Sequence, residues 1–213
     1  MSEPSALHLE GVRIALRERV LFDAITAVIP PGECLTVMGP SGCGKSTLLA
    51  FLAGSLDPVF TASGGVRIGA TDLTNLPPEA RRIGILFQDD LLFPHLSVGA
   101  NLGFALPESV RPSAARRERI EQALADAGLE GYADRDPASL SGGQRARVAV
   151  MRTLSAGPRA LLLDEPFSKL DAQLRADFRR FVFDHARASG LPTVLVTHDE
   201  ADALAAGGPV IRL

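Results

Sequence analysis

The run Gly39-Pro40-Ser41-Gly42-Cys43-Gly44-Lys45-Ser46-Thr47 carries the chemistry that can be read first. Its spacing fits G-x-x-x-x-G-K-[ST], the loop that cradles phosphates in nucleotide hydrolases. Glycines let the backbone curl so that successive N–H groups face phosphate oxygens. A helix starting at the end of the loop adds partial positive charge there. Lys45 reaches the β- and γ-phosphates, and the Ser46 hydroxyl is placed to ligate Mg²⁺. The chain has two lysines, Lys45 and Lys169, among 22 basic residues. Arg is its general cation, so Lys at this position reads as a chemical requirement. A compact ammonium fits between phosphates where a planar guanidinium does not.

Further residues suited to phosphate chemistry follow short apolar runs. Asp164-Glu165 follows Leu161-Leu162-Leu163, Gln88 follows Ile83–Phe87, and His198 follows Thr193–Thr197. Asp164 at a buried strand end can hold Mg²⁺, usually through water. Glu165 can polarise a water for attack on phosphorus. Gln88 can ligand Mg²⁺ or water without adding charge, and His198 can contact the γ-phosphate or orient the attacking water. Taken singly, each has a plainer reading: an exposed acidic pair before Pro166, a structural His, a surface amide. Their shared position changes the balance, because ligands of open α/β sheets bind at the carboxyl ends of parallel strands. Leu140-Ser141-Gly142-Gly143-Gln144 opens a helical segment. Ser141 is a natural N-cap, and the glycines expose backbone N–H groups to an anion. Ordinary capping does not account for two glycines in a first turn, where they cost helix stability.

The elements that must position these residues are legible from periodicity. Strands are expected at Leu7–Ile14, Val20–Phe22, Ile25–Ile29, Cys34–Met38, Val66–Ile68, Ile83–Phe87, Ala160–Leu163, Thr193–Thr197 and Pro209–Ile211. Helices are expected at Ser46–Ala53, through most of Ser97–Gly128, and at Ser141–Leu154, Ala172–Ser189 and Glu200–Ala206. Pro30-Pro31-Gly32 turns the chain into the strand before the loop.

The chain has 213 residues and a formal net charge of −3, which offers no basic face for nucleic acid. The clusters Arg116-Arg117 and Arg179-Arg180 alternate with acids or apolar residues and read as solvated helix faces. Two cysteines, Cys34 and Cys43, are too few for a disulfide framework, and reduced thiols are expected. Met1-Ser2-Glu3-Pro4 lacks a basic-then-apolar signal pattern, and no apolar run approaches the length of a membrane span.

The loop, Gln88, Leu140–Gln144, Leu161–Glu165, Ser168-Lys169-Leu170-Asp171 and His198 occur in the order of the ABC ATPases, and the chain resembles that family over nearly its whole length. Leu-Ser-Gly-Gly-Gln is highly specific to it. The loop and Phe93-Pro94-His95-Leu96-Ser97-Val98 most resemble ATPase subunits of bacterial importers of the thiamine, polyamine, sulfate and iron type. The resemblance implies an α/β P-loop fold: a RecA-like core with a mostly parallel sheet, an antiparallel β-subdomain and an inserted α-helical subdomain. Residues 1–213 would form one ATPase domain, with core 1–92 and 155–213 and helical subdomain 93–154. It further implies a head-to-tail homodimer holding two ATP molecules and Mg²⁺ between the phosphate loop of one copy and Ser141–Gln144 of the other. Asp171 would help the copies communicate. Gln88 and Asp89–Val98 would join a membrane permease at the cytoplasmic face of the inner membrane, with a substrate-binding protein as indirect partner and no nucleic acid.

Two departures stand out. The family usually stacks adenine on an aromatic residue near Ala15 or Leu16; neither can stack, and Phe22 is the nearest aromatic. A looser base preference is therefore expected. The chain ends at Leu213, soon after the His198 helix, so regulation by the C-terminal β-domain of many such importers is expected to be absent. Alternatives are an exporter or lipoprotein-release ATPase, an ABC ATPase acting on DNA or ribosomes, and a P-loop kinase. A kinase leaves Ser141–Gln144 unexplained, and the cargo is not named by the sequence.

Overall fold

The computed structural model describes residues 5–110 and 113–213. The tetrapeptide 1–4, read above as lacking a signal pattern, lies outside the described residues. So do residues 111–112, inside the stretch expected to be largely helical. The chain divides into two units: residues 1–85, 159–165 and 179–213, and residues 86–158 and 166–178.

The first unit carries two sheets. β1 (Leu7–Leu16) pairs antiparallel with β2 (Arg19–Val20), β3 (Ile25–Ile29) and β5 (Phe60–Ile68), and β6 (Thr71–Asp72) lies beside β5. The other sheet has the order β10 (Val210–Arg212), β4 (Cys34–Met38), β9 (Thr193–Thr197), β8 (Ala160–Asp164), β7 (Ile83–Leu86). Its pairs from β10 to β8 are parallel. Strands β4 and β9 are buried at every position, as strands covered on both faces must be. Leu7, Leu9, Ile29, Leu35, Val37, Leu162 and Val196 form one core with Leu48 and Leu52 of α1 (Lys45–Ala53). Cys34 on β4 is a buried free thiol, and burial pushes its pKa up to about 12. It is inert as a nucleophile at neutral pH.

Three expectations are corrected. The strand expected at Val66–Ile68 begins at Phe60. Ser63-Gly64-Gly65 hides it in the sequence, because the β1–β5 register shifts there. Gly11 (φ +62°) and Gly64 (φ +92°) face each other at that bulge, where a Cβ on Gly64 would stand 2.4 Å from the Gly11 carbonyl oxygen. The strand expected at Val20–Phe22 is Arg19–Val20. Phe22 leaves it and is buried, and a Cβ on Gly44 would meet its ring at 3.1 Å. The strand expected at Ile83–Phe87 stops at Leu86 and is half-buried, with Phe87 exposed.

Arg81, on the short helix α2 (Pro78–Arg81), is a buried cation of this unit. Its guanidinium donates to the carbonyls of Phe51 (2.7 Å), Leu52 (2.9 Å), Thr74 (2.7 Å) and Leu76 (2.8 Å). It thereby caps the C-terminal end of α1, where the dipole favours a cation. Arg81→Met is expected to strand these carbonyls and cost about 3 kcal/mol. That lowers the thermal midpoint by roughly 6–12 °C in a calorimetric scan; a midpoint unchanged within a degree would refute the capping role.

The second unit is mainly helical: α3 (Val98–Ala105), α4 (Ser113–Asp126), α5 (Gly142–Ser155) and the start of α6 (Ala172–Ala188). Val98, Leu102, Leu124, Val148, Met151 and Phe167 are buried in it. Asn101 is fully buried on α3. It accepts the Phe93 N–H and donates to the carbonyls of Phe93, Leu96 and Ser97, fixing the segment before α3. The remaining helix, α7 (Glu200–Ala206), belongs to the first unit. Among the described residues no helix is long and apolar enough to cross a membrane.

Candidate functional site

Strand β4 delivers the chain into the loop Gly39–Gly44, and α1 leaves it. Gly42 (φ +81°) and Gly44 (φ +105°) adopt left-handed conformations that a β-carbon resists. Gly44 is the N-cap of α1 and brings no capping side chain, so the helix start offers backbone donors to a ligand. Lys45 is 5% exposed. Its Nζ donates to the Gly39 carbonyl at 2.8 Å and the Pro40 carbonyl at 3.1 Å.

Two neighbouring strand ends meet this loop. The Ser46 hydroxyl donates to Asp164 Oδ1 at 3.0 Å, from the first turn of α1 to the end of β8. Glu165 follows with Oε1 3.7 Å from Lys45 Nζ. Its Oε2 lies 3.2 Å from His198 Nδ1, just past the end of β9. Glu165 holds φ +46°, and its N–H donates to the Val196 carbonyl at 3.0 Å. A non-glycine residue in that region stores of order 1–3 kcal/mol, a cost found at functional sites. Burial pushes the Asp164 pKa up, the Ser46 hydrogen bond pulls it back, and the Glu165 charge raises it further.

Lys45, Ser46, Asp164, Glu165 and His198 thus come together in the first unit, from elements distant in sequence. Gln88 and Ser141–Gln144 belong to the second unit. Gln88 is exposed just beyond β7. Ser141 N-caps α5: its Oγ accepts the Gln144 N–H at 3.3 Å, and Gln144 Oε1 accepts the Ser141 N–H at 2.9 Å. Capping therefore accounts for the types of Ser141 and Gln144. The two glycines separate. Gly143 is buried, and a Cβ there would meet Leu174 Cδ1 at 2.6 Å, so a larger residue would have to displace that side chain. A Cβ on Gly142 would meet only the Arg145 guanidinium, at 3.9 Å, so Gly142 has no comparable packing reason.

Other contacts of the second unit were not read from the sequence. Lys169 pairs with Asp89, and Arg145 Nε donates to Asp90 Oδ2 at 2.9 Å. Asp171 caps α6 by accepting the Leu174 N–H at 3.0 Å. The signal for Lys169 was its rarity; for Asn101, an amide inside an apolar helix.

Residues 22–168 match the ABC transporter family. The chain belongs to that family. As an ABC ATP-binding cassette it has the P-loop nucleotide-hydrolase fold, here seen as a parallel sheet, an antiparallel sheet and helices. Its relatives include an uncharacterised ABC transporter ATP-binding protein, YnjD, of Escherichia coli (strain K12). That protein is 48% identical over 196 residues, covering 92% of this chain and 90% of the relative. The putative 2-aminoethylphosphonate import ATP-binding protein PhnT of Salmonella typhi is 42% identical over 201 residues, 94% of this chain and 54% of the relative. The Fe(3+) ions import ATP-binding protein FbpC of Agrobacterium fabrum is 41% identical over 209 residues, 98% of this chain and 58% of the relative. The chain spans little more than half the length of these two import proteins.

Proposed function

We propose that this ABC cassette is the ATP-hydrolysing subunit of an importer, working as a head-to-tail pair beneath a membrane permease. The observation that carries the reading is the meeting of Lys45, Ser46, Asp164, Glu165 and His198 at one loop. Import relatives named for an organophosphonate and for ferric ion favour a small-solute importer over an exporter. The net charge of −3 disfavours a nucleic-acid partner.

Ser46 Oγ and Asp164 Oδ1, 3.0 Å apart, suit Mg²⁺, which keeps several waters and takes one or two protein oxygens beside substrate phosphates. When bound, Mg²⁺ would neutralise charge developing on the phosphoryl oxygens. Lys45 binds the β- and γ-phosphates. Glu165 orients water and takes its proton, and His198 holds Glu165 and faces the γ-phosphate. Gln88 links the site to the permease-facing segment 89–98. Ser141–Gln144 of a second copy closes over the ATP, with Gly142 giving the phosphate room. Closure on ATP and reopening after hydrolysis would drive the permease at the cytoplasmic face, supplied by a substrate-binding protein.

Mixed dimers test the shared site. With Lys45→Ala on one copy and Ser141→Arg on the other, both lesions fall in one site and turnover survives at the second. With both substitutions on one copy and a wild-type partner, each site carries one lesion and turnover falls to background. The reverse pattern in an ATPase assay would refute the trans arrangement.

A further inference from the structure

Behind His198 lies a polar network that the proposed chemistry does not use. Thr197, 1% exposed at the end of β9, donates its hydroxyl to Asp202 Oδ2 at 2.8 Å. The same hydroxyl oxygen accepts the Asp199 N–H at 3.0 Å. Asp202 is 3% exposed on α7, and its Oδ1 accepts from Arg179 Nε at 2.5 Å. Arg179 on α6 also holds Asp199, with Nη2 3.2 Å from Oδ2. Asp199 Oδ1 accepts the Ala201 N–H at 2.7 Å and so caps α7. The residues on both sides of His198 therefore share one anchor, the Arg179–Asp202 pair.

Stability alone does not account for this network. A buried ion pair is a weak stabiliser, because desolvation cancels much of its Coulomb gain. His198 itself has a side chain 60% exposed, with Nδ1 on Glu165 Oε2. Tight packing does not fix such a ring, so its direction depends on the backbone that carries it. The hydrogen bonds described fix that backbone from both sides.

We propose that Thr197, Asp202 and Arg179 are positioning residues that aim His198 at Glu165 and the reacting phosphate. The inference rests on the ATPase reading above. Thr197→Val is the sharpest test, since it keeps the side-chain shape and the Arg179–Asp202 pair but removes the hydroxyl that ties them to the His198 backbone. Turnover should fall on the order of tenfold, less than the roughly 100-fold cost of a full ångström of misplacement. Nucleotide Kd should not move. In a His198→Ala background the substitution should cost nothing further, because nothing is left to aim. Arg179→Lys, which keeps the charge and loses the fork, should fall between wild type and Thr197→Val. A normal kcat in Thr197→Val, or an equal loss with and without His198, would overturn the positioning role while leaving the ATPase reading intact. A His198→Ala protein as fast as wild type would overturn His198's part in the chemistry, and the inference with it.

Discussion

Glu165→Gln is expected to keep ATP bound and to lose turnover by roughly 10²- to 10⁴-fold, the range a positioned general base supplies. Gln preserves size: its Oε1 can stay beside Lys45 while its amide NH₂ takes the place of Oε2 and donates to an unprotonated His198 Nδ1, so the local geometry survives. The ability to take a proton from water does not. Removing the negative charge also relieves repulsion toward Asp164 and toward incoming phosphates. ATP should therefore bind at least as tightly, and a closed ATP-bound dimer should accumulate on gel filtration. The left-handed backbone at Glu165 strengthens the argument. The N–H bond to Val196 fixes the residue to β9, the strand that ends just before His198, so the carboxylate is aimed by the fold. Phosphate release within a few-fold of wild type would remove Glu165 as the base.

The strand-end logic made half of this arrangement legible before any coordinates. Asp164, Glu165 and His198 follow buried parallel strands, and a parallel sheet brings such ends to one edge whatever their separation in sequence. Continuous apolar runs such as Leu161–Leu163 and Thr193–Thr197 announced themselves because strands buried on both faces need no alternation. The first half of β5 was hidden because the twin glycines that let it bulge against β1 look like a loop. Phe22, the nearest aromatic to Ala15 and Leu16 in the sequence, is buried with its ring against Gly44. At Ser141–Gln144 the two glycines look alike in the sequence. Leu174 packs close to Gly143 and not to Gly142, an approach contributed by a distant segment. The Arg81 cap escaped reading, and Arg179, expected on a solvated helix face, is instead mostly buried against Asp202, both for a related reason. Arg is usually a surface residue, and its burial depends on partners contributed by distant segments.

Lys45→Ala should weaken ATP binding itself, which separates it from the Glu165 substitution. The ammonium is almost wholly buried and is held by two loop carbonyls, with Glu165 Oε1 at 3.7 Å. It is thus pointed before substrate arrives, and binding need not pay again to order a flexible stem. Charge-assisted hydrogen bonds contribute about 1.5–3 kcal/mol each, so Kd should rise roughly 10- to 150-fold. Lys45→Arg distinguishes charge from shape. Lys45 Nζ sits between the Gly39 and Pro40 carbonyls at 2.8 and 3.1 Å, a place that suits a point charge and not a planar fork. Arg should therefore fail to restore affinity although the charge is kept. A thermal scan of both variants would tell lost binding from lost folding, since the freed Gly39 and Pro40 carbonyls carry a stability cost of their own. Nucleotide affinity unchanged in folded Lys45→Ala would remove the lysine from the phosphate site and the loop reading with it.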